Sequence, residues 1–208
     1  AGLEVSPAEA DGRWAELNAP QDLARFVLGT KADTLERLRP LVQKSVIGEQ
    51  VNFTVAEWHE NKHRLITRIR EAFGEQDLAV RSSSMAEDTW NNSNAGSFTS
   101  LLDVPGSDGD RLEAAVDRVA SSYGAGNGTD QILVQHMVSG VLRHGVVLTR
   151  TLNHGAPYYT LNFDDTASGN TESITSGRGQ NLRTVIVHRG DRRGRVVDEP
   201  RVSAIMQA

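Results

Sequence analysis

The residues best suited to chemistry in this chain surround one arginine. A short apolar run leads into Arg81 and the three hydroxyls of residues 82–84, and a polar loop that contains glycine, residues 91–99, follows soon after. A guanidinium is a planar fork of donors that suits phosphate oxygens, and successive backbone N–H groups of a glycine-containing loop can form an anion-binding concavity. The pattern indicates a triphosphate site. A surface arginine paired with Glu87 or Asp88 is the alternative.

The same stretch carries a resemblance to a known family. Residues 80–88, Val-Arg-Ser-Ser-Ser-Met-Ala-Glu-Asp, resemble the Val-Arg-Ser-Ser-Ala-Thr-Ala-Glu-Asp motif in the nucleotide-binding domain of phosphoenolpyruvate synthase and pyruvate phosphate dikinase. The resemblance implies an ATP-grasp fold in which Arg81 contacts the nucleotide phosphates. It also implies that the loop with Gly96, Ser97 and Thr99 closes over them, although the family usually has glutamine at the position of Ser97.

A second candidate phosphate ligand lies near the start of the chain. Residues 29–35, Gly-Thr-Lys-Ala-Asp-Thr-Leu, are similar to the family's Gly-Gly-Lys-Gly-Ala-Asn-Leu element, whose lysine reaches the nucleotide phosphates. The resemblance therefore makes Lys31 and Arg81 the candidate catalytic residues, which would stabilise charge on the transferring group. Thr30 replaces the second glycine and restricts the backbone there. Without the resemblance, a lysine near a helix start would be an ordinary solvated side chain.

Candidates for the adenine pocket follow in the second half. The segment Ile132-Leu-Val-Gln-His-Met-Val138 resembles a family strand that lines this pocket, which implies that Gln135, Met137 and Val138 contact adenine. By periodicity alone the segment would be a core strand. Arg150 ends a segment similar to the family's Ser-Gly-Val-x-Phe-Thr-Arg-Asp, and it either faces the phosphates or pairs with Asp164 or Asp165.

Two further groups of charged residues have simple structural interpretations. Asp164 and Asp165 could hold a divalent ion, but aspartate is also common at the start of a turn, which we expect here. The arginines between residues 178 and 195 are interspersed with acids and lack interleaved aromatics. We interpret this segment as a solvated hairpin rather than a nucleic-acid surface.

The elements that must position these residues can be read from periodicity and end signals. Apolar spacing predicts one or two helices within residues 21–42, a helix that starts at the capping box of Thr54 and Glu57 and ends at Gly74, and a helix over about 110–123. Strands are predicted at residues 132–138, 145–149, 158–163, 171–175 and 184–188, the last paired with 195–197. A strand also leads into Arg81.

Helices in the first half and a meander of antiparallel strands in the second predict an α+β fold. With the resemblance, we expect an ATP-grasp-like domain of two lobes. Residues 1–20 would be a polar lead-in, residues 21–124 the first lobe with the phosphate-binding elements, and residues 125–208 a strand-rich second lobe with the adenine strand, incomplete at its C-terminal end.

Composition narrows the class of protein. The 208 residues carry a net charge of −5, which gives no general reason to expect nucleic-acid binding, and no stretch approaches the roughly 20 apolar residues of a membrane helix. The absence of cysteine fits a reducing compartment, so we expect a cytoplasmic protein without a membrane or nucleic-acid partner.

The resemblance implies ATP and Mg²⁺ as cofactors of an ATP-dependent phosphotransferase. In that family, ATP phosphorylates a histidine carrier domain, which passes the phosphate to pyruvate or another acceptor. The acidic metal ligands, the phosphohistidine loop and the domain that binds phosphoenolpyruvate or pyruvate have no counterpart in this sequence, so we expect a catalytically incomplete part of a longer enzyme. The alternative is a non-catalytic nucleotide- or ligand-binding module on the same scaffold.

Overall fold

The computed structural model describes residues 29–84, 99–124, 128–151, 154–164 and 183–190, together with the backbone of 88–89 and 92–93. The helices in this part of the chain are α1 (Lys31–Leu38), α2 (Val55–Phe73) and α3 (Gly109–Ser121). The strands are β1 (Gln50–Thr54), β2 (Asp77–Ser83), β3 (Asp88–Thr89), β4 (Asn92–Ser93), β5 (Ser100–Pro105), β6 (Gln131–His136), β7 (His144–Leu148), β8 (Tyr158–Asp164) and β9 (Arg183–His188). No helix in these ranges is long and apolar enough to cross a membrane.

Side-chain caps fix where the helices begin. The capping box predicted at Thr54 and Glu57 is confirmed, since the Glu57 N–H donates to Thr54 Oγ1 at 3.1 Å and the Thr54 N–H donates to Glu57 Oε2 at 2.7 Å. A second capping box joins Thr30 to Asp33 at the start of α1. Helix α3 starts at the N-cap Asp108, close to its predicted position.

The main sheet is antiparallel and has the strand order β1-β6-β2-β5. One of its faces packs on α2 and α3. The core between them includes the fully buried Trp58, Ile69, Val80, Leu112, Val116, Ile132 and Val134. Because side chains alternate along a strand, the opposite face carries Gln50, Arg81, Ser83, Gln131 and Gln135; we call this the polar face.

Helix α1 is fastened to the polar face by hydrogen bonds from three strands. Thr30 Oγ1 donates to Gln131 Oε1 at 2.6 Å, the Ala32 N–H donates to Ser83 Oγ at 2.9 Å, and Gln50 Nε2 donates to the Ala32 carbonyl at 2.9 Å. Ala32 is completely buried where α1 meets the sheet. The start of α1 is therefore held next to the strand that carries Arg81.

A second antiparallel sheet has the order β7-β8-β9, with Leu161 and Phe163 buried on one side. Gly145 is required for the close approach of β7 to β8, because a Cβ there would lie 2.6 Å from the Asn162 carbonyl oxygen and 2.7 Å from Phe163 Cβ. The predicted partner of β9, residues 195–197, lies outside the described residues, as does the predicted strand at 171–175; β9 pairs with β8.

The combination of helices with antiparallel sheets confirms the α+β class, whereas the ATP-grasp-like two-lobe arrangement stays a prediction. Two expectations differ from the structure. The sequence predicts mainly helices in the first half, but three of the four strands of the main sheet, β1, β2 and β5, lie there. The sequence predicts that β6 begins a meander formed by the second half, but β6 lies between β1 and β2 in the main sheet. The reason is its apolar character: Ile132 and Val134 complete the core against α2 and α3.

Candidate nucleotide site

A cavity of about 890 Å³ lies against the polar face of the main sheet. Its wall includes Arg81, Gln135, Met137 and Val138, together with residues 140–142 of the linker and the first two residues of β7. The volume lies in the range typical of small-molecule sites, which combine apolar walls with a few polar groups. Four residues singled out from the sequence are thus brought to one cavity.

Arg81 lies inside β2, where it pairs with Leu133 of β6 and Ser100 of β5. The sequence predicts it just past a strand. The strand instead continues to Ser83, whose N–H donates to the hydroxyl of Tyr123 at 2.8 Å. Arg81 Nε is shielded from solvent and has no hydrogen-bond partner among the described residues. A buried donor on a guanidinium at a cavity wall is suited to an anionic ligand.

The predicted adenine residues lie at the other end of the cavity. Gln135 is half-buried in β6, the Met137 N–H donates to the Asp77 carbonyl at 2.7 Å, and Val138 is 66% exposed in the linker that follows. Arg81 pairs with Leu133, four residues before Met137. At about 3.3 Å per strand residue, roughly 13 Å separates the arginine from the linker. A nucleotide lying along β6 would have its base at one end and its phosphates at the other.

A comparison with known families identifies the domain. The sequence model of the pyruvate phosphate dikinase AMP/ATP-binding domain matches residues 21–186, which are 166 of the 208 residues. The chain belongs to this family. No match was found among curated proteins. The match includes every described element from α1 to β8 and most of β9.

Lys31, the second phosphate candidate in this AMP/ATP-binding domain, is exposed at the first position of α1 and is not part of the cavity wall. Its neighbour Ala32 is bonded to Ser83, which lies two residues from Arg81 on the same face. The Ala32 and Asp33 N–H groups are already used by Ser83 Oγ and Thr30 Oγ1. A contribution of this helix start to phosphate binding would therefore come from the lysine side chain.

Of the other predicted contacts, the two that the structure describes, Thr99 and Arg150, do not line the cavity. Gly96 and Ser97 lie outside the described residues. The Thr99 N–H donates to Ser122 Oγ at 3.4 Å. Arg150 is exposed beyond β7, where its Nη1 donates to the Gly155 carbonyl at 2.9 Å, and it does not line the cavity. Asp164 is the last residue of β8 and is buried, whereas Asp165 and the rest of the turn predicted after it lie outside the described residues.

Four polar residues of the cavity wall were not predicted as site residues from the sequence: Glu49, Asp103, His136 and His144. Asp103 has φ 54° and lies at a bulge of β5, where Leu78 pairs with Val104 but Val80 pairs with Leu101. A bulge redirects side chains locally, which brings Asp103 to the wall. Aspartate tolerates the left-handed conformation better than most residues, and that is the one sequence signal for this position.

The described residues contain no group of three or more His, Asp or Glu side chains arranged to hold a metal ion. The carboxylates of Glu49 and Asp103 are on the cavity wall, but they do not by themselves form a magnesium site. The expectation of Mg²⁺ therefore gains no ligand set from this part of the chain.

Proposed function

We propose that the cavity binds ATP and that this chain is the ATP-binding part of an ATP-dependent phosphotransferase of the phosphoenolpyruvate synthase and pyruvate phosphate dikinase type. The observation that carries the proposal is Arg81, whose shielded Nε is unpaired on the wall of a cavity that ends, about one nucleotide length away, at an apolar linker. Membership of the AMP/ATP-binding domain family supports the same ligand.

We assign residues on or near the cavity wall to each part of the nucleotide. Arg81 binds phosphate oxygens, and Lys31 reaches the same end from α1. Both charges would stabilise negative charge that develops on the transferring phosphoryl group. Gln135, Met137 and Val138 bind the adenine, with apolar side chains against its faces. Residues 91–99 would close over the phosphates.

The later steps belong to the same proposal. The phosphoryl group would pass to a histidine carrier domain and from there to pyruvate or another acceptor. The carrier domain and the domain that binds the acceptor would both lie in the remainder of a longer protein. Phosphoryl transfer from ATP also uses a divalent cation, and the proposal assigns no residue of this chain to it.

The test is a calorimetric titration of the full chain with ATP and Mg²⁺, beside Arg81→Ala and the matched control Arg68→Ala. Arg68 is exposed on α2, away from the cavity. Charge-assisted hydrogen bonds contribute about 1.5–3 kcal/mol each, so we expect Arg81→Ala to raise the Kd for ATP roughly ten- to a hundredfold. Arg68→Ala should bind like the parent. Equal binding by Arg81→Ala, or no binding by the folded parent, would contradict the proposal.

A further inference from the structure

A second cavity, of about 310 Å³, lies at the side of the main sheet, where strand β5 meets helix α3. We call it the edge groove. Leu102 and Asp103, at the bulge of β5, also belong to the wall of the nucleotide cavity, but the edge groove opens on the helix side of the sheet. Its wall consists of residues 101–105 of β5 and of Arg111, Ala114, Ala115 and Arg118 of α3.

The helix contributes one continuous face to the edge groove. Its four wall residues are spaced at i, i+3, i+4 and i+7, so their side chains lie on the same side of α3. Only residues 106–108 connect β5 to α3, so the helix runs back along the strand, with Arg111 nearer Pro105 and Arg118 nearer Leu101. At 1.5 Å per helical residue, roughly 10 Å along the helix axis separates the two arginines. The two alanines between them leave the middle of the groove open.

Both arginines are available to a partner. They are exposed, and neither forms an ion pair or a side-chain hydrogen bond within the described ranges. The neighbouring acids of α3, Glu113 and Asp117, are bound to Lys62 instead. The wall itself carries one acid, Asp103, in the middle of β5. The edge groove therefore has a positive charge at each end, in a chain whose net charge is −5.

The strand of the edge groove is also open to a partner. In the described part of the chain, β5 forms one edge of the main sheet and pairs with β2 alone. An edge strand presents backbone N–H and C=O groups with which an extended peptide can pair. Pro105 has no N–H and the bulge at Asp103 interrupts the ladder, so this pairing is confined to residues 100–102. Side-chain contacts must therefore supply much of the affinity.

We propose that the edge groove binds an extended acidic segment of a partner protein, with the pattern acid–x–apolar–x–acid. In an extended chain, acids four residues apart lie on one face, about 13 Å from each other, and each can meet one guanidinium. The apolar residue between them packs on Ala114 and Ala115. A third acid at this central position is disfavoured, because it would lie next to Asp103. The charges at the two ends therefore select the partner, and the nucleotide takes no part.

The test uses a peptide of this pattern, acetyl-Ser-Glu-Thr-Val-Thr-Glu-Ser-amide, titrated into the isotope-labelled full chain while the amide chemical shifts are recorded. The control peptide has glutamine in place of both glutamates. Arg111→Gln and Arg118→Gln each remove the charge at one end of the edge groove. Arg68→Gln is the matched control variant, because Arg68 is exposed on α2 and does not line the groove.

We expect saturable shifts concentrated in β5 and α3. Each groove variant should raise the Kd of the peptide roughly three- to fivefold, since exposed charge pairs are individually weak. Arg68→Gln should bind like the parent. The glutamine peptide should bind much more weakly than the acidic one, and added salt should weaken the acidic peptide because it screens exposed charges.

Three titration results would overturn the inference: no shifts in β5 or α3 at millimolar peptide, equal affinity for the glutamine peptide, or undiminished binding by both groove variants. Slow hydrogen exchange of every amide from residue 100 to 102 in the free chain would also overturn it, because alternate amides of an open edge point to solvent. A dimer in sedimentation that Arg118→Gln dissociates would assign the groove to a second copy of the chain instead.

Discussion

At the scale of single residues, the structure distinguishes polar groups that have hydrogen-bond partners from shielded polar atoms that have none among the described residues. Thr54 and Glu57 are satisfied by each other, with bonds of 2.7 Å to 3.1 Å. Arg81 and His144 retain shielded nitrogens without partners in the described chain. The first pair stabilises a helix end, and the second pair lines the cavity. Substitutions in the capping box should therefore change the stability of the fold, whereas substitutions on the cavity wall should change ligand binding.

The capping box predicts a pH-dependent contribution to stability. Two hydrogen bonds lower the pKa of Glu57 below its usual value of 4.5. The larger effect comes from the Thr54 backbone N–H and the smaller one from the Thr54 hydroxyl. A lowered pKa in the folded state means that ionised Glu57 stabilises the fold above about pH 4.5, and that this contribution is lost as the pH falls through the folded-state pKa. Glu57→Gln should therefore be less stable than the parent at pH 7, and the difference should shrink at lower pH.

Urea unfolding of both proteins at pH 7, 5 and 4 measures this difference. Glu60→Gln is the control, since Glu60 is exposed on the same helix beyond the capping box. A difference between Glu57→Gln and the parent that stays constant over this range would show that the ionised carboxylate is not what stabilises the cap.

At the scale of elements, local sequence signals predicted the helix bounds, whereas strands that depend on tertiary contacts were missed. The bounds of α2 and α3 followed from Thr54, Glu57 and Gly124, because caps and stops act within one turn of the helix. Strands β1 and β5 were not predicted. The five residues of β1 lie directly before α2, and β5 is interrupted by the bulge at Asp103, so neither shows a long alternation.

The candidate site likewise contains residues that a contiguous motif predicts and residues that only the fold brings to the cavity. Arg81, Gln135, Met137 and Val138 could be chosen from the sequence because the resemblance to the family is carried by contiguous motifs. Glu49 has no such motif around it, and His144 lies within the segment 139–150 that resembles a family motif but at none of the motif's named positions. They reach the wall through the order of strands in the main sheet and the course of the linker, and neither is encoded in a short stretch of sequence.

Most of the side-chain hydrogen bonds between α2 and α3 in the described residues converge on one carboxylate, Asp117. Asp117 accepts a hydrogen bond from Trp58 Nε1 at 2.8 Å and lies 2.7 Å from Lys62 Nζ, while Glu113 lies 3.3 Å from the same amine. Burial raises the pKa of Asp117, but hydrogen bonds from Lys62 and Trp58 outweigh it and lower the pKa overall.

Asp117→Ala should destabilise the fold by about 1 kcal/mol, because it leaves the indole N–H of the fully buried Trp58 without its acceptor. Glu113→Ala removes only an exposed ion pair and should have a smaller effect. Chemical denaturation of the two variants measures both. Equal losses would contradict the special role of Asp117.

The pairing of β7 with β8 should be sensitive to any side chain added at Gly145. An added methyl group would lie 2.6 Å from the Asn162 carbonyl oxygen, so Gly145→Ala must push the strands apart and should cost about 1–3 kcal/mol. Gly109→Ala is the control, because nothing lies within 4 Å of a Cβ at that position. A stable Gly145→Ala variant in thermal unfolding would contradict the close approach of these strands.

At the scale of the whole molecule, the cavity is assembled from segments that are distant in sequence. Glu49 precedes β1, Arg81 lies in β2, Gln135 in β6 and His144 in β7. The cavity therefore exists only when the main sheet and the linker to β7 are in place. A ligand of this cavity binds the folded state alone and must stabilise it against unfolding.

The most direct measurement of the central claim is photoaffinity labelling of the full chain with 8-azido-ATP, followed by peptide mapping. The account predicts labelling of peptides that contain the linker from Met137 to His144, abolished by excess ATP and reduced in Arg81→Ala but not in Arg68→Ala. Labelling confined to the helical side of the sheet, in peptides of α2 or α3, would contradict the claim that the nucleotide lies on the polar face.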